Sequence, residues 1–131
     1  MKVAVIAKWT ILPGKQTEAV TAINALAEKV KAAESGTLVY LPHEVNIEGY
    51  NNPVPYDGEI VFYEVYQDQD AFDVHLYGPN GKDNPSGPFT DFLKQYSHLF
   101  LCNKNDGKPY MHVEALHLLS GFIREEKPHD V

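Results

Sequence analysis

Apolar and polar positions change their spacing several times along this chain, and each change marks the boundary of a predicted element. Residues 2–11 alternate with a period of two, as in a strand, and residues 15–35 carry an apolar stripe at helical spacing. Gly36 is expected in a left-handed conformation at the end of that helix. Residues 37–45 and 59–66 again predict strands, the second rich in β-branched and aromatic side chains.

Two shorter helical segments and one strand complete the pattern. Asp68 is a favourable N-cap for a helix over residues 69–76, and residues 89–100 resume helical spacing. Residues 110–118 predict a fourth strand. Segments rich in Asn, Gly and Pro predict long loops at residues 46–57 and 77–88.

The order strand, helix, strand, strand, helix, strand, with the second helix interrupted, is that of a ferredoxin-like split βαβ fold. We therefore predict an α+β fold with a four-stranded antiparallel sheet and helices on one face. A chain of 131 residues fits one domain, with a core at residues 3–118 and a charged tail at 119–131 that frays. The first and third strands are apolar on both faces, so the face without helices is expected to be buried by a second copy.

Charge and cysteine content limit the classes of partner and the cellular compartments that are expected. The net charge of −7 disfavours nucleic acid and anionic membranes as partners, because both require a basic face. A single cysteine excludes an intrachain disulfide and suits a reducing compartment. The apolar run at the N-terminus is too short for a signal peptide, and no segment approaches the ~20 apolar residues of a membrane span. A cytoplasmic location is expected.

The motifs of nucleotide, phosphate and hydrolase sites do not occur in the sequence. There is no Walker loop, no Gly-x-Gly-x-x-Gly and no Gly-x-Ser-x-Gly. His112, Glu114 and His117 on the last strand, with His43 or His98 nearby, have none of the spacings of known metal motifs. We expect neither a metal nor a cofactor.

Several pieces, in this order, carry a resemblance to a known family over roughly residues 3–118. The pieces are Pro13-Gly14-Lys15, the segment 36–40, the strand 59–66, then Asp68, Ala71-Phe72 and His75, and the aromatic helix 89–100. In these pieces the chain resembles the antibiotic biosynthesis monooxygenase family.

The resemblance implies a dimeric α/β barrel, in which two four-stranded sheets of a homodimer pack face to face and each subunit has a pocket between sheet and helices. Members include cofactor-independent oxygenases of polycyclic aromatic phenols or quinols, haem degraders and isomerases, and some have no known activity. The haem-degrading pattern is absent, since the first strand offers Lys8 and Trp9, His75 stands at the Trp position and Leu93 near the ligand His. The loops 46–57 and 77–88 are longer than the family's usual turns.

His75 and Glu64 are the candidate catalytic residues. His75 shares a helix face with Ala71 and Phe72, and in a pocket it would take a proton from a phenol; the alternative is a core histidine bonded to backbone. Glu64 would be a second base or would orient a histidine, or else would form an ion pair across the dimer with Lys8 or Lys2.

Aromatic side chains supply the candidate substrate-binding residues; the alternative role for the tyrosines is to fill the core and interface. The candidate substrate-binding residues are Tyr63, Tyr66, Phe72, Phe89, Phe92 and Tyr96.

The leading hypothesis is a homodimeric, cofactor-independent monooxygenase of a small aromatic phenol or quinol. The alternatives are a binding or stress-associated dimer without turnover, and an isomerase or lyase using the same pocket.

Overall fold

The computed structural model describes residues 1–125 and contains four strands and three helices. The predicted fraying of the tail falls partly on residues 126–131, which lie outside the described residues. The elements, in chain order, are β1 (Val3–Thr10), α1 (Gln16–Ala33), β2 (Thr37–Glu44), β3 (Glu59–Tyr66), α2 (Gln69–Tyr77), α3 (Pro88–Tyr96), a 3-10 turn (Ser97–Leu99) and β4 (His112–Leu116).

The four strands form one antiparallel sheet in the order β2-β3-β1-β4. This order follows from two interleaved strand-helix-strand units, and it confirms the predicted α+β, ferredoxin-like fold. The third strand has the predicted bounds, whereas β4 is shorter than the predicted segment 110–118. The last predicted helix, 89–100, ends earlier, and its final turn tightens into the 3-10 turn.

The core lies between the helices and one face of the sheet, the inner face. The stripe of α1 supplies Ala19, Ile23, Leu26 and Val30, all buried. Opposite them, alternate residues of β1 and β3 are buried, because successive side chains of a strand point to opposite faces. The largest buried side chains that β1 and β3 place on the inner face are Trp9, Ile60, Phe62 and Tyr66.

The outer face of the sheet is only partly covered. Ile6 lies opposite Tyr63, which lies opposite Leu41, so three strands place apolar side chains in one row. Tyr63 is 40% exposed and Leu41 is 51% exposed. No helix among residues 1–125 is both long and apolar enough to cross a membrane.

Gly36 does not have the left-handed conformation that its position after α1 predicted. Its backbone is not among the glycines with positive φ, and Glu34 caps the helix instead. A Cβ at Gly36 would lie 2.7 Å from the Cβ of Ala71 on α2. The residue is therefore a glycine because a helix packs directly on it, which a local sequence pattern does not reveal.

Candidate functional site

The helix α2 places His75 under the sheet face. Asp68 caps this helix as predicted, since its side chain accepts a hydrogen bond from the backbone N–H of Ala71 at 2.9 Å. Ala71 packs against Gly36, and His75 follows one turn later on the same side. The His75 side chain is therefore buried, with 4% of the residue exposed.

Glu34 holds one side of the imidazole. Its Oε1 lies 2.8 Å from His75 Nδ1 and accepts a second hydrogen bond from the Thr37 hydroxyl at 3.0 Å. Because a carboxylate only accepts hydrogen bonds, this contact places the proton of a neutral ring on Nδ1. Nε2 is then the unprotonated nitrogen, available to accept a proton.

Glu64 faces the other side of the imidazole. Its Oε1 lies 3.9 Å from His75 Nε2 and accepts a hydrogen bond from the Tyr66 hydroxyl. Burial raises the pKa of Glu64; the Tyr66 hydrogen bond and the charge of His75 oppose this shift, and the charge of Glu34 adds to it. Burial likewise raises the pKa of Tyr40 and of Tyr66, so both hydroxyls stay protonated.

A small apolar cavity of about 50 Å³ borders His75 and Glu64. The Phe89 ring stacks on the imidazole with centroids 5.1 Å apart, and Tyr40 lies 5.3 Å away on another side. Glu64, which faces Nε2, lines the cavity, whereas Glu34, which bonds to Nδ1, does not, and we infer from this that Nε2 is the nitrogen nearer the cavity. The wall consists of Val5, Ala7, Trp9, Tyr40, Phe62, Glu64, Phe72, His75, Leu76, Phe89, Met111 and Val113.

Wider grooves lie on the surface. They have volumes of about 220, 490 and 660 Å³. Within residues 1–125, none of these grooves is lined by a buried titratable side chain. The buried cluster at His75 is therefore the better candidate for acid–base chemistry.

The predicted substrate-binding residues lie in three places. Phe72 and Phe89 line the cavity, and Tyr66 contacts it through Glu64. Phe92 and Tyr96 instead line a separate crevice between α1 and α3. Tyr63 lies on the outer face, so its expected place in the pocket was wrong, because odd and even residues of β3 point to opposite sides of the sheet.

The structure also bears on the alternative roles predicted for the polar residues of the sheet. Glu64 is buried on the inner face, whereas Lys8 is exposed on the outer one, which argues against the alternative of an ion pair across the dimer between Glu64 and Lys8. His112 bonds to Glu114 at 2.6 Å on the exposed outer face, which lowers the pKa of Glu114. Among residues 1–125, no group of three or more His, Cys, Asp or Glu side chains is arranged to hold a metal.

Three residues of the site were missed by the sequence analysis: Glu34, Tyr40 and Trp9. Glu34 follows Val30 by four, so it continues the buried stripe of α1, and a carboxylate at such a position was the available indication. Tyr40 lies opposite Glu64 in the sheet, a pairing that depends on the register of two strands. Trp9 was considered only as a residue of the first strand, in the comparison with the haem degraders.

Comparison with solved structures supports the fold. Rv0793 from Mycobacterium tuberculosis superposes with a TM-score of 0.65 at 22% identity, covering 92% of this chain and 98% of that one. A candidate antibiotic biosynthesis monooxygenase from Caulobacter crescentus CB15 gives 0.66 at 23% identity, covering 91% of each chain. One from Deinococcus radiodurans gives 0.64 at 14% identity, covering 95% and 99%.

The chain is also similar to one part of a much longer curated protein. It is an endo-beta-N-acetylglucosaminidase of Bifidobacterium longum subsp. infantis, 26% identical over 103 residues, or 77% of this chain. This chain spans only 17% of the length of that enzyme.

The sequence model of the antibiotic biosynthesis monooxygenase family matches residues 2–83, more than half of the 131 residues. The fold and this match together show that the chain belongs to the antibiotic biosynthesis monooxygenase family.

Proposed function

We propose that this protein is a cofactor-independent monooxygenase of an aromatic phenol or quinol, with His75 as its general base. The observation that carries the proposal is the buried Glu34–His75 pair, whose second ring nitrogen borders an apolar, aromatic-lined cavity. A carboxylate that fixes one nitrogen of an imidazole leaves the other oriented to take a proton. Family membership supports the same class of reaction.

The reaction converts a phenol and dioxygen into a quinone and water. His75 Nε2 takes the proton of the phenolic hydroxyl, and the electron-rich phenolate reduces dioxygen while a carbon–oxygen bond forms at a ring carbon. That carbon then loses its proton, the oxygen–oxygen bond breaks, and a carbonyl remains. The second oxygen atom leaves as water with the two protons, so atoms and electrons balance without another reductant.

The remaining residues bind and orient the substrate. Phe72 and Phe89 would hold the faces of the aromatic ring, and Tyr66 would keep Glu64 in place beside the imidazole. Glu64, with its raised pKa, would share the proton accepted by His75.

The cavity must widen to admit a ring. Its volume of about 50 Å³ is well below the ~150 Å³ of an engineered cavity that binds benzene. The yielding wall is expected at Met111 and Val113, since Val113 is 52% exposed and residues 112–115 of β4 are all exposed. Substrate would therefore enter beside β4.

Oxygen uptake with a panel of hydroquinones and naphthoquinols tests the proposal. We expect turnover by the native protein, with one atom from ¹⁸O₂ appearing in the product, which separates oxygen insertion from simple oxidation to a quinone. His75→Ala should lower turnover by roughly 100-fold or more, the scale of a lost general base. His98→Ala, an exposed histidine, is the matched control and should be fully active.

Two outcomes contradict the proposal. Full activity of His75→Ala would remove the base, and the absence of any uptake by the native protein would favour a binding dimer. Isomerisation of a substrate without oxygen consumption would instead indicate the isomerase or lyase alternative.

A further inference from the structure

An apolar segment that residues 1–125 leave uncovered follows β4. Residues 117–123, here called the C-terminal arm, form neither a helix nor a strand. Their large apolar side chains are almost fully exposed: Leu118 is 88% exposed, Leu119 96%, Phe122 80% and Ile123 98%. Single exposed apolar side chains are common on protein surfaces, but a cluster along one short segment typically marks an interaction site.

The C-terminal arm prolongs the outer face of the sheet. Among the described strands, β4 is an edge strand that pairs with β1 alone, and residues 112–115 are exposed. Leu116 lies opposite Ala4, and both belong to the outer face, as does Ile6. Because side chains alternate along an extended chain, an extended arm places Leu118 on the same side as Leu116. Apolar surface therefore continues from the outer face into the arm.

We propose that the C-terminal arm crosses to a second copy of this chain and packs on the sheet of that copy. Two sheets packed face to face lie ~10 Å apart, and seven extended residues reach up to ~23 Å. The arm is therefore long enough to leave its own β4 and to lie against the facing sheet. Twofold symmetry repeats the contact, so that each copy gives one arm and receives one. This arm exchange does not depend on the proposed reaction.

The area that a stable dimer needs favours a second copy as the partner. A stable interface buries ~800 Å² on each partner. The outer row of Ile6, Tyr63 and Leu41 is only partly exposed, whereas the side chains of the arm add on the order of several hundred Å² of apolar surface. Every copy carries both surfaces. An anionic lipid surface is the less favourable partner, because the net charge is −7 and the arm has no helix to present an amphipathic face.

Paramagnetic labelling of mixed dimers tests the exchange directly. The variant with Cys102→Ser and Ser120→Cys carries one thiol for a nitroxide, because Cys102 is the only cysteine of the chain, and it keeps the apolar side chains of the arm. Mixed with a ¹⁵N-labelled chain that has no nitroxide, it should weaken amide resonances of the sheet in the ¹⁵N copy at least twofold. A nitroxide at Glu28→Cys, an exposed position of α1, is the control and should leave these resonances unchanged.

Sedimentation equilibrium measures what the arm contributes to the dimer. The double variant Leu119→Ser, Ile123→Ser should raise the dissociation constant of the dimer by roughly 100-fold or more, because symmetry removes both side chains from both arms. Val74→Ser, an exposed apolar residue of α2, is the control and should leave the dissociation constant unchanged.

The possible outcomes separate the arm from the sheet face. A dimer whose dissociation constant is unaffected by the double variant would overturn the arm exchange and leave the face-to-face dimer intact. Broadening only within the chain that carries the nitroxide would overturn the exchange as well, since the arm would then fold back on its own subunit. A native monomer would overturn both, and its binding to phosphatidylcholine vesicles would make lipid the partner of the arm. Each result is independent of whether the protein consumes oxygen.

Discussion

Three titratable side chains meet in the buried part of this molecule. Glu34, Glu64 and His75 are each 4 to 6% exposed, and each has a polar partner. Buried charged groups add little net stability compared with apolar residues of the same size. Their arrangement around one imidazole therefore supports the proposed role of His75 in proton transfer.

The raised pKa of Glu64 makes a prediction for stability against pH. When a folded-state pKa lies above the unfolded value, the contribution to stability is complete below the unfolded pKa, about 4.3, and is lost as pH rises through the folded pKa. Glu64→Gln keeps an acceptor for Tyr66 but does not ionise. We expect the stability of this variant, relative to the native protein, to increase as pH rises above about 4.3.

Urea unfolding at several pH values measures this difference. Glu28→Gln, at an exposed position of α1, is the control and should show a difference that is nearly independent of pH. A flat profile for Glu64→Gln as well would mean that Glu64 ionises in the folded protein as it does in water.

At the scale of elements, α2 and α3 together determine the width of the cavity. Gly78 caps the C-terminus of α2, and the loop returns so that the Ser86 N–H donates a hydrogen bond to the Tyr77 carbonyl at 2.9 Å before α3 begins. Gly78 has a φ of 80°, and a Cβ there would lie 2.3 Å from the Ser86 carbonyl oxygen. The close approach of the two loop ends therefore holds His75 of α2 next to Phe89 of α3.

Gly78→Ala should destabilise the protein more than Gly81→Ala. The two glycines have nearly the same φ, 80° and 83°, but a Cβ at Gly81 meets nothing within 4 Å. Gly81→Ala should cost only ~1 kcal/mol of backbone strain, and Gly78→Ala that amount plus ~1–3 kcal/mol for the displaced loop. Equal melting temperatures for the two variants would show that the loop ends separate easily.

At the scale of the whole molecule, residues 1–125 leave the outer face of the sheet only partly covered. Ile6, Tyr63 and Leu41 form one apolar row there, and an exposed apolar face of a sheet typically marks an interface. A face-to-face homodimer would bury it, with an interface of roughly 2,000 Å² or more. The dimer stays a prediction, as do the single domain and the cytoplasmic location.

Sedimentation at micromolar concentration tests the dimer. Tyr63→Glu should shift the protein to a monomer, because a carboxylate would be buried opposite its own copy. Val74→Glu on α2 is the matched control, since Val74 is also 40% exposed but lies away from the outer face, and it should remain dimeric. A native protein that sediments as a monomer would refute the prediction.

The sequence by itself determined the elements and their order. Period two in the strands, the helical stripe of α1 and the Asp68 cap are local properties of the chain, and they were sufficient for the ferredoxin-like fold and for placing His75 on an inward helix face. Only the tertiary structure decided which residues surround that histidine. Glu34 lies 41 residues from His75 along the chain, and the facing of Tyr40 and Glu64 depends on strand register. Local spacing carries no information on such distant pairings, so the partner that orients the imidazole emerges only when the helices pack on the sheet.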